Sequence, residues 1–98
     1  MHVLTVAYGH PSDPAAFDRY YETVHQPLAA AVPGVRAIRV LHCAGLDGTP
    51  APYHLVAELT FDSADAVQAG LASPQGQAAA GDLANFADGG ATLFLQHD

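Results

Sequence analysis

Between Tyr53 and Phe61 the chain alternates strictly. Tyr53, Leu55, Ala57, Leu59 and Phe61 form one set, and His54, Val56, Glu58 and Thr60 the other. A period of two puts such sets on opposite faces of a strand. Residues 2–8, HVLTVAY, also read as a strand. Here Leu4, Val6 and Tyr8 oppose Val3, Thr5 and Ala7, so both faces are largely apolar and both are expected to be covered. VRAIRVLHCA at 35–44 and ATLFLQH at 91–97 complete a set of four strands, with GLDGTPAP as the loop after the second.

The period turns helical between 14 and 31, where Phe17, Tyr21, Val24 and Leu28 form one stripe. Asp13 is suited to cap this helix with Pro14 at its first position, and VPG at 32–34 ends it. A second helical region begins at DSADAVQAGLA, capped by Asp62 or Ser63. Ser73 interrupts it, and Ser73 with Pro74 starts a further helix that reaches Ala87 and buries Ala79, Leu83 and Phe86.

The resulting order, β-α-β-β-α-β, predicts an α+β fold in a single domain, residues 1–98. It is a ferredoxin-like, four-stranded antiparallel sheet with helices on one face. Helices on one face leave the other bare. A second copy packed sheet to sheet covers it, which predicts a homodimer built as a dimeric α/β barrel. Composition points the same way: half of the residues are apolar, but much of that is alanine, which buries little area.

Net charge is −7, and Arg19, Arg36 and Arg39 are the formal cations. Three arginines cannot supply the basic patch that nucleic acid or an anionic membrane requires. The apolar runs fall short of the ~20 residues of a membrane span, and the start MHVLTVAYGH lacks the basic opening of a signal peptide. Cys43 alone cannot form an internal disulfide and is read as a structural thiol. The expected location is cytoplasmic.

Candidate chemistry centres on FDRYYETVHQPL. On a wheel of about 100° per residue with Phe17 at zero, Tyr21, Val24 and Leu28 fall within about 40° of it and His25 at about 80°. That places His25 at the rim of the buried stripe, beside Asp18, Glu22 and Tyr21. A rim imidazole is partly desolvated, oriented by neighbours and able to reach a ligand. Pro27, two residues on, removes a helical hydrogen bond and costs about 3 kcal/mol in a helix interior. A second candidate is Asp82 in GDLANFAD, beside Leu83 and Phe86, where an apolar edge favours a raised pKa. The histidines show no HxxxH or HxH spacing, so no metal is assigned. No nucleotide- or flavin-binding motif occurs, and no cofactor is expected.

With these residues in view, the chain resembles the EthD family. The matching stretches are FDRYYETVHQPL (17–28), PGVRAIRV (33–40), PAPYHLVAELTFDS (50–63) and SPQGQAAAGDLANFAD (73–88). The resemblance implies a ferredoxin-like protomer that dimerises through its sheet, with a pocket between helices and sheet. It implies site positions at His25, at the paired Tyr20 and Tyr21, and at Asp82. Similar dimeric barrels include cofactor-independent monooxygenases, an isomerase and polyketide-tailoring enzymes.

Two classes of function fit. In the first, the protein is an enzyme. His25 is general acid or base, assisted by Tyr21 and Asp82, and acts on a small apolar or aromatic molecule held by Tyr20, Val24, Leu28, Leu83 and Phe86. Its chemistry is cofactor-independent oxidation, or dehydration or isomerisation in the same pocket. In the second, it is a binding module that holds such a molecule for a partner oxygenase.

Overall fold

Asp13 accepts a hydrogen bond from the backbone N–H of Ala16, and Pro14 takes the first helical position. The first helix therefore starts where the sequence predicts. In the computed structural model, which describes residues 1–98, helix α1 spans Pro14–Tyr20 and passes without a break into a π-helical turn, Tyr21–His25, and then α2, Gln26–Ala30. The continuous α-helix expected over 14–31 is thus interrupted by a wider turn. The backbone N–H of Gln26 donates to the carbonyl of Tyr21, five residues back. Pro27 accounts for the widening. It has no N–H, and its ring crowds the carbonyl four residues earlier; a turn one residue longer moves that carbonyl away. The helix continues past the proline instead of ending there.

The four strands are β1 (His2–Tyr8), β2 (Ala37–His42), β3 (Leu55–Phe61) and β4 (Ala91–His97). They pair antiparallel in the order β2-β3-β1-β4. This is the predicted ferredoxin-like sheet. β2 and β3 are shorter than the sequence suggests, although single bonds from Arg36 N–H to Thr60 O (2.7 Å) and from Cys43 N–H to His54 O (2.9 Å) extend the pairing. Ser63 caps α3 (Ala64–Ala72), and Ser73 caps α4 (Pro74–Phe86) by accepting from Gly76 N–H, as expected.

Register decides what faces the helices. Val6 sits opposite Ala57 and Leu93, and Leu4 opposite Leu59 and Leu95. Leu4, Val6, Tyr8, Leu55, Ala57, Leu59 and Phe61 are buried against Phe17, Tyr21, Ala29, Val32 and Val67 from the helical side. Phe61 and Val67 are wholly buried, and burying each such side chain contributes about 1.5–3 kcal/mol. On the outer face Thr5 and Ala7 are also buried, although no helix covers them. Larger side chains on the flanking strands shield this central strand, and the Thr5 hydroxyl donates to Gln96 Oε1 at 2.7 Å. Leu41 and Phe94 remain exposed on the same face, and Leu93 and Leu95 are exposed on the helical face of β4. The helices stop short of that edge. No helix is long and apolar enough to cross a membrane.

Candidate active site

The π-turn carries His25 inward. An α-helical wheel puts the residue on a rim, but the extra residue in the turn rotates it toward the sheet, leaving it only 5% exposed. The same rotation turns Val24 outward, to 40% exposure. The expectations of a rim His25 and a buried Val24 are both overturned, and for one reason.

Asp82, on the second turn from the end of α4, meets His25 in the interior. Its Oδ2 lies 2.9 Å from His25 Nδ1, with both side chains buried. Tyr20 O–H donates to Asp82 Oδ1 at 2.6 Å, and Asn85 Nδ2 donates to the same oxygen at 2.9 Å. Burial pushes the Asp82 carboxyl up, but hydrogen bonds from Tyr20, Asn85 and His25 outweigh it and hold the group below the usual carboxylate value. This corrects the expectation of a raised pKa. Asp82 is therefore a carboxylate at neutral pH and can only accept. Nδ1, facing that acceptor, carries a proton, so Nε2 is the ring nitrogen left to accept a hydrogen bond. Tyr8 O–H donates to that Nε2 at 3.3 Å. Burial, reinforced by Tyr21 and Asp82, pushes the Tyr8 phenol well up, so it stays protonated.

The chain of polar groups thus runs Tyr8–His25–Asp82 in the interior and ends at the half-exposed Tyr20. Aromatic rings hold it in place: the Phe86 ring lies 4.7 Å from His25, and Tyr21 lies 5.4 Å from it. Burial pushes the Tyr21 phenol up to about 12. Asp18 and Glu22, the expected acidic neighbours of His25, are not its partners. Asp18 turns to His54 and His42, and Glu22 faces solvent.

His25, Tyr8 and Tyr21 form the polar margin of a cavity of about 50 Å³ whose wall is otherwise almost entirely apolar, with Ala57, Leu59, Phe61 and Leu83 among its residues. Leu93 completes one side and is 46% exposed, so the cavity opens toward β4. Of the residues expected to hold a ligand, Leu83 lines the cavity. Tyr20 and Phe86 support Asp82 and His25 from behind, while Val24 and Leu28 lie outside the wall. Tyr8 and Asn85 gave no signal in the sequence: Tyr8 closes an apolar strand face and reads as core, and Asn85 shows its role only once Asp82 is placed.

The EthD domain family model matches residues 10–90. The chain belongs to the EthD family. A relative from Rhodococcus erythropolis, an uncharacterised 11.0 kDa protein of the thcB–thcC intergenic region, is 47% identical over 96 residues, covering 97% of this chain and 92% of the relative. The crystal structure of an EthD family protein from Bacillus halodurans matches with a TM-score of 0.93 at 28% identity, covering 100% of this chain and 98% of that one. Two more distant structures share the fold. A dimeric ferredoxin-like protein from Jannaschia has a TM-score of 0.71 at 21% identity, covering 100% of both chains. SnoaB, a cofactor-independent oxygenase from Streptomyces nogalater, has a TM-score of 0.67 at 18% identity, covering 99% of this chain and 90% of that one. In this EthD protein, the His25–Asp82 pair joins the first helical segment to α4 beneath the sheet.

Proposed function

We propose that this EthD protein binds a small apolar or aromatic organic molecule in the cavity beside His25 and moves a proton to or from it. The observation that carries this reading is the buried chain Tyr8–His25–Asp82, closed from outside by the half-exposed Tyr20, at the edge of an apolar cavity. Asp82 holds the imidazole in the tautomer whose Nε2 is basic, and it stabilises the imidazolium that forms when Nε2 takes a proton. The Tyr8 hydroxyl sits on that nitrogen and passes a proton from the ligand: it releases its own to Nε2 as it accepts the ligand's. Apolar walls select the ligand and keep bulk water from competing.

The reaction is of the cofactor-independent oxidoreductase type, in which the deprotonated, electron-rich ligand reacts with oxygen. Support comes from the fold shared with SnoaB. The cavity is small beside the ~300–1,000 Å³ of most ligand pockets, which favours a single-ring ligand or a pocket enlarged by a neighbouring chain. A homodimer meets that need. Exposed Leu41 and Phe94 on the open sheet face are covered if a second copy packs there, and exposed Leu93 in the cavity wall if that copy also reaches round the β4 edge.

The test is a panel of monocyclic phenols and hydroquinones, with binding followed by NMR and turnover by oxygen uptake. Enzymatic function requires product with the wild type and its loss in His25→Ala. Binding without product in the presence of oxygen instead assigns the protein the accessory role, holding a ligand for a partner oxygenase.

A further inference from the structure

Away from His25, a second cluster of ligating side chains forms where the sheet meets α1. Asp18 projects from α1, His42 ends β2, and His54 precedes β3. His54 Nε2 lies 2.8 Å from Asp18 Oδ1, and His42 Nε2 lies 3.1 Å from Asp18 Oδ2. All three ligand atoms fall within 4.8 Å of one another. The three residues come from a helix, a strand and the loop before the next strand, so no spacing in the sequence could announce them.

We propose that Asp18, His42 and His54 bind a divalent first-row transition-metal ion of the zinc class. The ligand set is two imidazoles and one carboxylate. It suits borderline ions such as Zn²⁺ and does not suit the all-oxygen preference of Mg²⁺ or Ca²⁺. Metal–ligand bonds of about 2.1 Å in a tetrahedron place neighbouring donor atoms about 3.4 Å apart. The two Asp18 contacts open by a few tenths of an ångström to reach that geometry. His42 and Asp18 are free to make the adjustment, because their side chains are 59% and 39% exposed.

His54 is the fixed member. Its backbone N–H donates to Tyr8 O at 2.8 Å, and its carbonyl accepts from Cys43 N–H at 2.9 Å. Its ring stands edge-on to Phe17 with centroids 5.2 Å apart, and its side chain is 14% exposed. A well-held, half-dry imidazole beside two more exposed ligands leaves the solvent side open for water in the remaining coordination position. Net charge of −7 favours cation capture over the whole surface. The ion ties the end of the β2–β3 loop to α1. Phe17 and Tyr8, whose ring centroids are 5.3 Å apart, stand between it and His25.

The test is Zn²⁺ titration of the untagged full chain by calorimetry, with Co²⁺ absorption reporting ligand type. The expected result is one equivalent of Zn²⁺, a tetrahedral Co²⁺ spectrum and a raised melting temperature. His42→Ala, at an exposed position that folding tolerates, weakens binding by at least about tenfold, the scale on which metal-site mutations act; Asp18→Asn does the same. His25→Ala leaves binding intact. Absence of binding at 100-fold excess of ion over protein overturns the proposal. So does binding that survives both His42→Ala and Asp18→Asn, because it then belongs elsewhere, the stacked His2–His97 pair being the obvious alternative.

Discussion

At the scale of single residues, the positions that matter most are those whose hydrogen bonds have no substitute. Tyr8→Phe keeps the ring that packs on Phe17 and Tyr21 and removes only the donor to His25. It is expected to cost about 1 kcal/mol in urea unfolding, and under the proposed proton transfer any turnover falls by about 10²-fold or more. Asp82→Ala removes the partner of His25 and at once leaves two further donors, Tyr20 and Asn85, without their acceptor. A buried donor left without its acceptor costs about 1–3 kcal/mol, and Asp82→Ala strands more than one donor, so its loss of stability should exceed that of Tyr8→Phe clearly in the same measurement. The pH dependence follows from Asp82 and Asp18. Hydrogen bonds lower the native pKa of each below 3.8, against the pull of burial in the other direction. A lowered native value means that the stabilisation is complete above the unfolded value and is lost as pH falls through the native one. Urea midpoints should therefore be level from neutral pH down to about 5 and drop below about 4. Level midpoints down to pH 2 would show that neither carboxylate is held in its charged form.

At the scale of elements, close backbone approach and the π-turn carry the predictions. Gly76 lies in the first turn of α4, where a Cβ would lie 2.1 Å from Gly70 O and 2.8 Å from Leu71 Cα. Alanine gains up to about 1 kcal/mol of helix propensity over glycine, but it cannot enter that space without moving α3 away from α4. Gly76→Ala is therefore expected to lower the melting temperature rather than raise it. Val24→Ala tests the π-turn. On an unbroken α-helix Val24 would belong to the buried stripe, and its truncation would cost 1 kcal/mol or more, roughly the size of a deleted core methyl group or two. Turned outward, it should change stability by less than about 0.5 kcal/mol. Both helix starts were legible in the sequence, because caps are local: Asp13 and Ser73 each bond a backbone N–H three residues on. The π-turn was not. Pro27 signals a conflict in the helix, but the neighbours decide whether the chain stops, kinks or widens.

At the scale of the whole molecule, the open sheet face and the bare β4 edge call for a partner. If the second copy packs there, Phe94→Glu places a charge in the interface and shifts the protein to monomer in light scattering, whereas the wild type remains dimeric at micromolar concentration. A monomeric wild type removes the homodimer, and with it the enlarged pocket. The sequence by itself determined the strand and helix order, the helix caps, the core-facing residues of the strands and His25 and Asp82 as candidates, because these rest on periodicity and on contacts within a few residues. Tertiary structure alone decided that His25 is buried, that its carboxylate is Asp82 and not Asp18 or Glu22, that Tyr8 completes the chain, and that Asp18 faces two histidines. Each of these joins residues far apart along the chain. Such contacts depend on how the helices settle on the sheet, and a local pattern carries no record of that.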